Sequence, residues 1–71
     1  MTEYTIRLSW DDEASVWVAV NDEIPIAFES DSLDLLIERV KDAAPELLEI
    51  NGKKHSNIAL HFSMECQRVV A

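Results

Sequence analysis

Seven apolar residues between Leu33 and Leu48 lie along one side of a helix, and no other feature limits the possible folds of this chain so strongly. Leu33, Leu36, Ile37, Val40, Ala44, Leu47 and Leu48 recur at about 3.6-residue spacing, while Asp34, Glu38, Asp42 and Glu49 point elsewhere. A helix of this length gains most of its stability from packing its apolar stripe, so the rest of the chain must supply a surface to receive it. Ser30-Asp31-Ser32 offers N-cap oxygens, and Asp34 suits the positive end of the helix dipole. Asn51-Gly52 reads as the C-cap, followed by Lys53 and Lys54 at the negative end. Pro45 leaves two readings open. Either the helix kinks there, or it stops near Ala43 and restarts with Pro45 in a first turn.

The receiving surface is written as strands. In Tyr4-Thr5-Ile6-Arg7-Leu8-Ser9-Trp10 the apolar residues alternate strictly with Thr5, Arg7 and Ser9. Asp11-Asp12-Glu13-Ala14-Ser15 is turn-prone, and Val16-Trp17-Val18-Ala19-Val20 is β-branched and aromatic, so the two strands form an antiparallel hairpin. Asn21-Asp22-Glu23 ends the second strand, Pro25 removes a ladder donor, and Ile26-Ala27-Phe28-Glu29 resumes as a third. After the helix, Ile58, Leu60, Phe62, Met64 and Cys66 share one face of a fourth strand, with Ala59, His61, Ser63 and Glu65 on the other. The expected fold is α+β: a single antiparallel-rich sheet in β-β-β-α-β order with one long helix on one face. The opposite face stays open and carries Arg7, His61 and, depending on which side of the second strand is covered, Trp17.

At 71 residues the chain is expected to form one domain, and a fold this small buries only about 60% of its unfolded surface. One Cys permits no internal disulfide, no apolar run reaches the roughly 18 residues of a membrane span, and the start lacks the basic residues of a signal peptide. A reducing cytoplasm is the expected compartment. Residues 1–50 hold 13 acids against three bases, a balance of −10, and residues 51–71 return +2 of the net −8. Such a surface repels phosphate backbones and attracts basic proteins.

The run Trp-Asp-Asp-Glu-Ala, then Val-Trp-Val-Ala-Val, then Asp-Glu-Ile-Pro, continuing through Glu-Ser-Asp-Ser-Leu-Asp-Leu-Leu-Ile-Glu-Arg-Val, resembles the HicB-like antitoxin fold. It is most similar to small bacterial proteins grouped as a domain of unknown function, whose helix also ends in Pro-Glu-Leu-Leu-Glu-Ile-Asn-Gly. The resemblance runs from Tyr4 to about Arg68. It implies a partner: a small basic HicA-like toxin that cleaves RNA. Many such antitoxins carry a C-terminal DNA-binding module; none is expected here, because the sequence ends soon after the fourth strand. Ile26 stands where those proteins place a glycine after the proline.

No arrangement of residues suggests an enzyme. Asp11, Asp12 and Glu13 lack the spaced ligands and turn glycine of a calcium loop, so they read as a solvated turn. His61 and Cys66, an odd number of residues apart on one strand, face opposite sides and cannot act together, and His55 sits in a polar loop. No metal, cofactor or catalytic residue is expected. Trp17 and Leu35 stand out instead, Leu35 lying about 160° from the centre of the helix stripe. The expected function is therefore protein binding. Asp11, Asp12, Glu13, Asp22 and Glu23 steer a basic partner, Trp17, Ile24 and Ile26 anchor it, and Leu35 adds contact. The chain is also expected to form a homodimer, through its open sheet face or a strand edge. The other reading is an acidic inhibitor or regulator, such as a phage-derived protein, that has no toxin partner.

Overall fold

The computed structural model describes residues 2–53 and 57–65. Along the chain run β1 (Thr2–Asp11), β2 (Val16–Asn21), β3 (Ile26–Ser30), α1 (Leu33–Ile50) and β4 (Ile58–Glu65). Expectations that fall on Lys54, His55 and Cys66 lie outside the described residues. The four strands form one sheet in the spatial order β3-β2-β1-β4. The β1–β2 and β2–β3 ladders are antiparallel, but β4 runs parallel to β1, with Ile6 opposite Phe62 and Leu8 opposite Met64. The sheet is thus mixed, and the antiparallel-rich reading is corrected. The reason is topological. Two hairpins leave β3 pointing the same way as β1, and α1, about 27 Å long, carries the chain back before β4 begins.

One face of the sheet receives the helix. Tyr4, Ile6, Leu8, Ala19, Ile24 and Ile26 meet Leu36, Val40, Ala44 and Leu48 in a single core. Pro45 neither stops nor splits α1, which is helical from Leu33 to Ile50. Having no N–H, Pro45 leaves the Lys41 carbonyl without its helical donor. Lys41 is on the exposed side of the helix, where a free carbonyl costs least. Ser32 caps the other end, its hydroxyl accepting from the Leu35 amide at 3.3 Å. At the C-terminus the Lys53 amide donates to the Leu48 carbonyl and the Gly52 amide to Glu49, with Gly52 at φ +69°. This is a Schellman closure, and the left-handed conformation explains the glycine.

The Ile-Pro-Ile corner needs no glycine because Pro25 sits at the centre of a γ-turn, with the Ile26 amide donating to the Ile24 carbonyl at 2.6 Å. The fixed φ of proline matches that turn. It sends both neighbours inward, Ile24 at 0% and Ile26 at 3% exposure, and leaves Pro25 at the surface. Asn21 organises the same loop. Its Oδ1 accepts from the Glu23 and Ile24 amides, each at 2.7 Å, and its Nδ2 donates to the Thr5 carbonyl at 2.6 Å. Replacing Asn21 with Ala removes all three bonds and should lower stability by about 1–3 kcal/mol in a denaturant titration. Asn21→Asp keeps both acceptor bonds and should lose less.

Candidate functional site

The structure separates the residues expected to form one binding surface. Ile24 and Ile26 are core, so they anchor the protein's own fold and cannot anchor a partner. Trp17 lies on the helix-covered face with Ala19, opposite Trp10, which leaves Val16, Val18 and Val20 on the open face. It is half-buried, and its ring meets that of Trp10 edge-on at 5.3 Å. Trp17 is therefore chiefly a structural residue. The open face carries Arg7 and His61, as expected from their parity. His61 Nε2 lies 3.1 Å from the Glu3 carboxylate.

The acidic turns are also divided. Asp12 and Glu13 lie at the tip of the first hairpin and Asp22 and Glu23 at the tip of the second, at opposite ends of β2, about 20 Å apart. Asp11 is engaged in shaping its own turn, its Oδ1 accepting from the Glu13 and Ala14 amides at 3.1 and 3.3 Å. Ser15 closes that turn at φ +55°. Asp12 accepts from the Trp10 indole N–H at 2.8 Å. At the far end Asp22 pairs with Arg7 at 3.5 Å, beside a shallow polar depression lined also by Glu3, Thr5, Asn21 and Glu23. Only Glu13 and Glu23 in these turns have carboxylates with no hydrogen-bond or ion-pair partner among the described residues.

The outer side of α1 brings acids together instead. At about 100° per residue, Glu38, Asp42, Glu46 and Glu49 all fall within about 60° of Leu35. All four are exposed. Leu35 stands at one end of this ridge, 61% exposed, and Ile50 at the other, 79% exposed, about 23 Å along the axis. Arg39 shares the ridge, but its guanidinium donates to the Glu29 carbonyl at 3.3 Å, and Lys41 reaches Glu38 from the flank at 3.5 Å. Two apolar ends joined by a row of carboxylates make a surface suited to a basic protein that also has apolar side chains to bury. Sequence reasoning places Leu35 in solvent correctly but assigns steering to the hairpin acids and gives the helix acids beside Leu35 no role of their own. Numbering the helix outward from Leu35, rather than inward from its stripe, is the signal that finds the ridge.

Among the described residues no three His, Cys, Asp or Glu side chains are grouped as metal ligands, and no helix is long and apolar enough to cross a membrane. Comparison with known families decides the relationship. Residues 3–70 match a family described as a domain of unknown function, DUF1902. The chain belongs to the DUF1902 family. Membership in such a family agrees with the expectation drawn from the hairpin, the Ile-Pro corner and the helix. The crystal structure of hypothetical protein TTHA1013 from the extremely thermophilic bacterium Thermus thermophilus is similar to it. The identity is 33%, the TM-score 0.81, and the match covers 96% of this chain and 99% of that one. No curated protein matches.

Because Asp11 builds its turn, the three acids of the first hairpin are not interchangeable surface charges. Asp11→Ala should lower stability by about 1 kcal/mol, whereas Glu13→Ala should leave the melting temperature nearly unchanged. Asp12→Ala frees the Trp10 indole, and tryptophan fluorescence should report the change.

Proposed function

We propose that this DUF1902 protein is an acidic protein-binding module, and that its partner is a small basic protein of the HicA-like, RNA-cleaving toxin class. The observation that carries the reading is the state of the carboxylates. All 13 acids of the first 50 residues are exposed. Among the described residues only Glu3, Asp22 and Glu38 have a basic side chain within ion-pair distance. The density raises the encounter rate with a cationic partner, and desolvated apolar contacts at Leu35 and Ile50 slow its escape.

In this reading the helix ridge steers and anchors, and the hairpin tips extend the negative field to both ends of the sheet. The partner's basic, RNA-binding surface would lie against α1, so inhibition is occlusion and needs no chemistry from this chain. The resemblance to HicB-like antitoxins supports the choice of partner. The competing reading, an acidic inhibitor or regulator that acts without a toxin, draws on the same ridge but predicts binding to a larger nucleic-acid machine. A small basic open reading frame beside the gene favours the toxin.

Co-expression with such a neighbour tests the proposal. The pair should co-purify, and the partner's RNA cleavage should fall on titration to stoichiometry. Combining Glu38→Gln, Asp42→Asn, Glu46→Gln and Glu49→Gln should slow association at least tenfold at low ionic strength while leaving the melting temperature nearly unchanged. An unaltered on-rate would remove the ridge from the mechanism, and full cleavage in the presence of excess protein would remove the inhibitor reading.

A further inference from the structure

The two edges of the sheet are treated differently. The β3 edge is five residues long and lies beneath α1, whose Arg39 donates to the Glu29 carbonyl. The β4 edge is eight residues long, contains no proline, and among the described residues has no strand on its outer side. Natural proteins blunt an open edge with charge, proline or a bulge. The only formal charge within β4 is Glu65, at its end.

The helix leaves β4 incompletely covered as well. It approaches β3 and β2 most closely. On its side of the sheet Ile58, Leu60 and Phe62 are only half-buried, Met64 is 52% exposed, and neighbouring Trp10 is 37% exposed. An apolar row and an unpaired ladder edge therefore coincide on one strand.

We infer that β4 is a homodimerisation edge, pairing antiparallel with β4 of a second copy about a twofold axis normal to the sheet. Three features point to a copy of this chain. An antiparallel edge is its own complement, each strand offering the donors and acceptors that the other lacks. That symmetry also keeps both helices on the same side, so the two apolar rows become neighbours across the junction. Charge favours the place: copies of a −8 chain repel wherever carboxylates meet, and β4 carries one in eight residues, at its end, against one in five for β3. The product is a continuous eight-stranded sheet. A single ladder, about 27 Å long, is small beside the roughly 800 Å² per partner of a standard interface, so the dimer forms in a concentration-dependent way. The inference stands apart from the basic partner and is tested without one.

The test uses the purified chain alone. Light scattering should rise from the 8.1 kDa monomer mass towards twice that value with concentration. Over the same range, alternate amides of Ile58–Glu65 should exchange with deuterium at least tenfold more slowly. Successive amides of a strand point to opposite neighbours, so one of Ser63→Pro and Met64→Pro removes only an outward donor. That variant should melt like the parent yet remain monomeric. A strict monomer near millimolar concentration overturns the inference. So does a dimer whose β4 amides exchange no more slowly than the monomer's, and that readout decides even where both proline variants fail to fold.

Discussion

One helix is laid across four strands, and the mismatch of widths governs the rest of the molecule. A helix with its side chains is about 10 Å across, and four strands at about 4.8 Å spacing are nearly twice that. The stripe Leu36, Val40, Ala44 and Leu48 closes over Ile6, Leu8, Ala19 and the two isoleucines that flank Pro25. Those contacts hold nearly everything that is fully buried. The helix must sit somewhere along the sheet's width, and it lies towards the second hairpin, where Arg39 reaches the Glu29 carbonyl and Lys53 the Glu23 carbonyl. What the helix gives to β3 it withholds from β4.

The same economy explains the loops. With one glycine in the chain, tight turns must come from other chemistry. Asp11 and Asn21 each fold their side-chain oxygen back onto two amides, and Pro25 supplies a turn that glycine usually serves. Several acidic or amide residues that look like surface decoration are thus structural, and the charge available to a partner is smaller and differently placed than a count of acids suggests.

The elements are legible because their periods are clean: alternation in Tyr4–Trp10 and Ile58–Met64, and a helical stripe from Leu33 to Leu48. The direction of β4 cannot be read from alternation, since parallel and antiparallel neighbours share the same period. Chain reversal by an 18-residue helix is the available signal. The face of β2 is ambiguous because Trp17 and the three valines are all apolar, and only Ala19, small enough to lie beneath the helix, decides it. Ile24 and Ile26 are misplaced by sequence reasoning for a related reason. A turn beside acids looks exposed, and nothing but the γ-turn geometry at Pro25 shows both side chains turned inward. Leu35 is placed correctly because a helix, unlike a loop, fixes where every residue points.

The two surfaces assigned here do not compete. The ridge from Leu35 to Ile50 faces away from the sheet, while the β4 edge lies in its plane, and the residues serving one have no part in the other. A sheet joined at β4 would hold both helices on one side and present two acidic ridges in a common direction. A partner with two basic surfaces, or two copies of a partner that touch each other, would then meet both at once, and the second contact would form at a high effective concentration. Weak edge pairing would thereby be strengthened by any partner bound at both ridges, because each binding event would favour the paired form. The incomplete cover that one helix gives to a four-stranded sheet would in that way become the link between assembly and recognition.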